Sequence, residues 1–118
     1  MKNVEWWRGT ANHMWRTYFD MKQQIQNGTL HFPYDVTQAA VRIYQICDDV
    51  YVTQFSLNDQ DILRMYFTSR WGDDVYAVED YSLRNNVPVR GVWKVIRRAN
   101  RAVMECVGLL ERGGMNNG

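Results

Sequence analysis

Proline and cysteine are both scarce in this chain, with two of each among 118 residues: Pro33 and Pro88, Cys47 and Cys106. So little proline, with only eight glycines, excludes a collagen-like or low-complexity polymer. Both cysteines fall inside apolar helical patterns, which predicts buried, reduced thiols in a cytoplasmic protein rather than a disulfide framework. No run of about 18 uncharged apolar residues occurs, so no membrane span is expected. The opening residues, Met1-Lys2-Asn3-Val4-Glu5-Trp6, lack the apolar run and small-residue cleavage site of a signal peptide. Histidine is equally rare. His13 and His31 stand on expected surface positions, and with the cysteines they show no metal-ligand spacing. There is no glycine-rich phosphate loop and no nucleophile elbow. The expectation is therefore no catalytic residue, no cofactor and no metal.

What is present is ordinary globular material: 46% hydrophobic and 23% charged residues, in a length that suits one domain. The formal net charge of +1 hides a division. Residues 1–83 carry seven Lys/Arg against eleven Asp/Glu, a net −4, while residues 84–118 carry seven against two, a net +5. Polyanions are repelled by the first part and attracted by the second, so any nucleic-acid contact belongs to the C-terminal third.

Apolar spacing predicts an all-α fold of about five helices. Trp7, Met14, Tyr18, Met21 and Ile25 form one stripe of a helix from Val4 to about Gln26, ended by Asn27-Gly28. A connector holding Pro33 follows. A second helix is expected from an Asp35 cap to about Thr53, and a third from Ser56 or Asn58 through Phe67. Trp71-Gly72-Asp73-Asp74 breaks the pattern, and a fourth helix covers Val75 to Leu83. Asp73-Asp74 suits a helix start, where carboxylates meet the positive end of the dipole. Asp48-Asp49, near a helix end, lacks that explanation. Asn85-Asn86 makes a turn, and Pro88 opens a long fifth helix that runs to about Glu111. The expected division is an N-terminal helical segment (1–55), a C-terminal segment (56–112) and a disordered tail (113–118), the first two in one compact domain.

The last helix carries the strongest signal. At about 100° per residue, Arg90, Lys94, Arg97 and Arg101 fall within about 60° of one another, with Arg98 at the margin. Val92, Val95, Ile96, Ala99, Val103, Cys106 and Leu110 gather opposite. A solvated helix face of this kind normally offsets its repulsion with i,i+4 ion pairs. The absence of interleaved acids therefore favours contact with phosphates or bases.

The run Val78-Glu79-Asp80-Tyr81-Ser82-Leu83-Arg84-Asn85-Asn86-Val87-Pro88-Val89-Arg90-Gly91-Val92-Trp93-Lys94-Val95 resembles a helix-turn-helix. Ser82 holds the small position where the helices approach. Asn86 stands in the usual glycine place of the turn, and Val87, Val92 and Val95 stand at the apolar positions that lock the pair. Asn85 departs from the pattern, since an apolar residue is usual there. Upstream, Ser56-Leu57-Asn58-Asp59-Gln60-Asp61-Ile62-Leu63-Arg64-Met65-Tyr66-Phe67 is similar to the opening helix of region 4 in sigma-70-type factors. The order and spacing over about residues 56–110 resemble small phage transcriptional regulators of the RinA and ArpU type. The resemblance implies double-stranded DNA binding through the segment from Pro88, and contact with RNA polymerase.

Positions on the presumed recognition helix suggest roles. Val89, Arg90 and Lys94 lie early, where side chains reach base edges, and Arg90 suits a bidentate pair with guanine. Arg97, Arg98 and Arg101 lie further along and suit phosphates. Arg84 and Asn85 are backbone-contact candidates, and Trp93 reads as a packed helix-edge residue. In the N-terminal segment, Trp6, Trp7, Trp15, Tyr18 and Phe19 serve either the core or a surface for homodimerisation or a partner. Two functions remain in view. One is a sequence-specific DNA-binding regulator; the other is a small helical inhibitor or adaptor that binds RNA polymerase or another nucleic-acid machine.

Overall fold

A computed structural model of the chain describes residues 7–70 and 72–108. The described residues are all-α, with five helices and no strand: α1 (Arg8–Gln26), α2 (Gln38–Gln54), α3 (Leu57–Phe67), α4 (Asp74–Asn85) and α5 (Val89–Cys106). Local chemistry sets most of the boundaries. Gly28 takes a left-handed conformation (φ 77°), and Thr29 N–H bonds back to the Gln24 carbonyl, closing α1 at the expected place. The expected start at Val4 lies outside the described residues. Ser56 caps α3, its hydroxyl accepting from the Asp59 N–H at 3.2 Å.

The start of α2 and the end of α5 differ from the sequence expectation. Asp35 does not cap α2, because its carboxylate accepts from the His31 N–H at 2.8 Å within the connector. Thr37 caps instead: its extended backbone points the hydroxyl at the Ala40 N–H, 3.1 Å away. At the other end, α5 stops at Cys106 rather than near Glu111. Gly108 is left-handed there (φ 80°), and its N–H turns back to the Glu105 carbonyl. The expected tail, 113–118, lies outside the described residues.

One apolar core joins all five helices. Trp15, fully buried, lies near its centre. Its ring stacks on Phe67 of α3 (centroids 5.7 Å apart), and its indole N–H donates to the Ala99 carbonyl of α5 at 3.0 Å. Trp7, Tyr18 and Phe19 are buried as well, so core packing accounts for every described aromatic of the N-terminal helix. Trp6 lies outside the described residues. Asp48 finds its explanation here too. It accepts the Tyr18 hydroxyl at 2.6 Å and stands 4.0 Å from Lys22 Nζ, partners that offset an unfavourable place near a helix end. Burial, reinforced by Asp48, pushes the Tyr18 phenol far above its ordinary range.

The cysteines divide. Cys47 is buried, and that burial raises its thiol. Cys106 is exposed, against expectation, while Val103 and Met104 of the same turn face the core.

Candidate functional site

Three residues, Asn86, Val87 and Pro88, connect α4 to α5. Asn85 is the last residue of α4 rather than part of this turn, its side-chain amide bonded to the Tyr81 carbonyl at 3.0 Å. Asn86 adopts φ 55°, ψ 46°, the left-handed conformation that asparagine tolerates better than most residues. The Val87 N–H bonds to the Ser82 carbonyl at 3.1 Å, and the Ser82 hydroxyl donates to the Val87 carbonyl, so a small polar residue ties the turn from inside. Val87 packs against the core, and Pro88 fixes the entry to α5 at φ −65°. Because the turn depends on a positive φ, Asn86→Val is expected to cost about 1–2 kcal/mol, whereas Asn86→Gly changes stability by less than about 0.5 kcal/mol. Urea unfolding midpoints of the two variants check this.

The turn delivers α5 with its apolar side inward. Val92, Val95, Ile96, Ala99, Ala102, Val103 and Met104 are buried, while Arg90, Lys94, Arg97 and Arg98 are exposed. Trp93 is half-buried, its ring nearly perpendicular to that of Tyr66 with centroids 5.5 Å apart, as a packed helix-edge residue should be. Val89 is 39% exposed at the first turn.

The basic side is not uniform. Arg90, Lys94 and Arg97 have no carboxylate partner among the described residues. Arg98 turns toward the α2–α3 corner, where its guanidinium lies 4.8 Å from the centre of the Phe55 ring and 3.4 Å from both Asp59 and the Gln54 carbonyl. Arg101 pairs with Glu105 at 3.4 Å. The expectation of a stripe without ion pairs is thus corrected for these two residues: Glu105 follows Arg101 by four on the same helix, and α3 brings up Asp59. Arg84, on the preceding helix, pairs with Asp80 at 2.6 Å. Among the described residues, Arg90, Lys94 and Arg97 thus stay unpaired beside two neutralised neighbours, Arg98 and Arg101.

Helix α1 contributes to this face in a way the sequence pattern did not indicate. Trp7 stands beside the basic side of α5 and, with Lys94, Arg97, Arg98 and Arg101, encloses a shallow recess of about 210 Å³. Arg8 follows it and borders a second cavity that also reaches Arg97. Neither residue could be assigned to this place without knowing that α1 packs on α5.

No group of three or more His, Cys, Asp or Glu side chains is placed to hold a metal ion among the described residues. Asp73 and Asp74 stand at the start of α4 as expected, and Asp74 also accepts the Tyr66 hydroxyl at 3.2 Å. None of the described helices is long and apolar enough to cross a membrane. Comparison with protein-family models, with curated proteins and with solved structures finds no match to this chain.

Proposed function

We propose that this protein is a sequence-specific double-stranded DNA-binding transcriptional regulator of the phage or mobile-element kind, with α5 as its recognition helix. The observation that carries this reading is the sidedness of α5. One side is held in the core, the other presents Arg90, Lys94 and Arg97 without a carboxylate partner among the described residues, and a tight left-handed turn leads into the helix's first residues. A helix so presented fits the major groove, where its N-terminal side chains meet base edges and later cations meet phosphates. Val89, Arg90 and Lys94 then read bases, and Arg97 contacts the backbone. Arg98 and Arg101 reach phosphates only by leaving Asp59 and Glu105, and Arg84 and Asn85 contribute at the periphery.

A specific feature of α4 favours a second reading, in which a protein such as RNA polymerase is the main partner. Tyr76 and Leu83, seven residues apart, are 73% and 83% exposed on this helix, beside Glu79 and Asp80. Large apolar side chains this exposed suit a protein contact better than a phosphate.

Selection of bound sequences from a random duplex pool, at near-physiological salt, separates the two. The DNA-reading regulator enriches a motif that disappears in the Arg90→Ala/Lys94→Ala double variant. Recovery of no motif by the parent protein would instead support the adaptor.

A further inference from the structure

The first turn of α5 runs against the local preferences of a helix. It opens with Val89 and Arg90, a β-branched residue and a cation, and contains no acid. A β-branched side chain loses freedom in a helix, and a cation opposes the positive end of the dipole. Elsewhere the chain follows the usual rule, since α3 and α4 place Asp59 and Asp74 in their first turns. The core requires neither side chain. Val87 anchors the turn before them and Val92 the helix after them, while Val89 and Arg90 are exposed. Arg90 has no carboxylate partner among the described residues, and Val89 is the one exposed large apolar residue of α5 among them. Side chains lean toward the N-terminus of a helix, so these two project past the end of α5. Trp93, one turn further along the flank of Val89, is turned inward instead. Its ring packs against Tyr66 and, with Arg97 and Asn100, lines a cavity of about 190 Å³. Asn100, buried there with no hydrogen-bond partner for its Oδ1 among the described residues, is equally withheld from the surface. The tip of α5 therefore offers one apolar group and one guanidinium.

We propose that this tip selects a 5-methylpyrimidine beside a guanine, with Arg90 on the guanine and Val89 on the methyl group. This selectivity rests on the DNA-binding reading and specifies part of the site that is recognised. In the major groove guanine presents two acceptors, O6 and N7, which the Arg90 guanidinium meets with a pair of hydrogen bonds. Valine has neither a side-chain donor nor an acceptor, so it rewards none of the polar groups on the base edges. The apolar group within the groove is the 5-methyl of thymine, and covering it removes apolar surface of both partners from water. Val89 and Arg90 are consecutive at one end of the helix, which places their targets in neighbouring base pairs. Cytosine in place of the thymine offers no methyl group, whereas 5-methylcytosine offers the same one. Methylation of a cytosine beside the guanine therefore raises affinity, and binding responds to the methylation state of the DNA.

The test uses duplexes carrying the motif that selection recovers, with the parent protein, Val89→Ala and Arg90→Ala. The motif is expected to hold a thymine beside a guanine. Replacing that thymine by uracil, which lacks only the methyl group, weakens binding by the parent about three- to fivefold. Cytosine there also binds more weakly, and methylating it at C5 recovers a factor of about the same size. Val89→Ala binds the thymine and uracil duplexes within about 1.5-fold of each other. Arg90→Ala keeps the thymine preference and loses the preference for guanine. Both side chains are exposed, so urea unfolding midpoints of the two variants stay near that of the parent. Four results overturn the proposal and leave the DNA-binding reading intact: a motif without the thymine–guanine step, equal affinity of the parent for thymine and uracil duplexes, a thymine preference retained by Val89→Ala, or no recovery on cytosine methylation. Recovery of no motif at all overturns both.

Discussion

Replacing Arg90, Lys94 and Arg97 together by alanine is expected to weaken binding to duplex DNA by roughly 100- to 1,000-fold at about 0.1 M salt. Each cation that neutralises a phosphate releases close to one counterion, worth somewhat less than tenfold at that concentration. Loss of three also flattens the plot of log affinity against log salt by about 2.7. The fold should survive, because these side chains are exposed, are unpaired among the described residues, and lie on a helix that favours alanine. Arg98→Ala is the informative contrast. Its guanidinium covers Phe55 and faces Asp59, joining α5 to the α2–α3 corner. Its removal is expected to lower stability by about 1 kcal/mol and to leave the salt slope nearly unchanged. Filter-binding titrations over a salt series, beside urea unfolding of the same proteins, measure both effects. A large loss of DNA affinity in Arg98→Ala with an unaltered unfolding midpoint would show that the cationic face is divided wrongly.

Much of the architecture was legible because it is local. Five helices follow from apolar spacing, and three of their ends follow from single residues: Gly28, Ser56 and Asn86. The errors are also local and share one cause, competition between chemically similar neighbours. Asp35 and Thr37 both suit a cap, and the carboxylate of Asp35 is taken by the His31 N–H. Gly108 and Gly113 both suit a stop, and the nearer one ends α5.

The candidate site was legible only along its own helix. The stripe from Arg90 to Arg101 is a matter of angle, and the exposure of Arg90, Lys94 and Arg97 agrees with it. Which cations are already engaged is not a matter of angle. The Arg98–Asp59 pair spans 39 residues, and Trp7 reaches the basic face because α1 packs on α5. Asn100 lies between the two cases. It stands four residues after Ile96 on the apolar side, so a polar break in that stripe was visible in the sequence; its missing partner was not.

Trp15→Ala is expected to cost about 3–5 kcal/mol, the usual range for emptying a fully buried large aromatic position. A domain of this size is stable by about 5–15 kcal/mol in total, so the variant sits close to unfolding at ordinary temperature. Its thermal midpoint should fall by at least about 12 °C. The reason lies in what this ring joins. It stacks on Phe67 and Phe19, meets Tyr18 edge-on, and donates through its indole N–H to the Ala99 carbonyl. Ala99 sits between Arg98 and Asn100, so one side chain of α1 holds the turn of α5 that carries the end of the basic face and the wall of the cavity. Trp15→Phe separates the two contributions: it keeps most of the ring packing, loses the hydrogen bond, and should cost only about 1–2 kcal/mol. Unfolding followed by far-UV circular dichroism ranks the parent, Trp15→Phe and Trp15→Ala. Should alanine prove no worse than phenylalanine, the ring stack would not be what fixes α1 to α5, and the position of Arg97 and Asn100 would need another support.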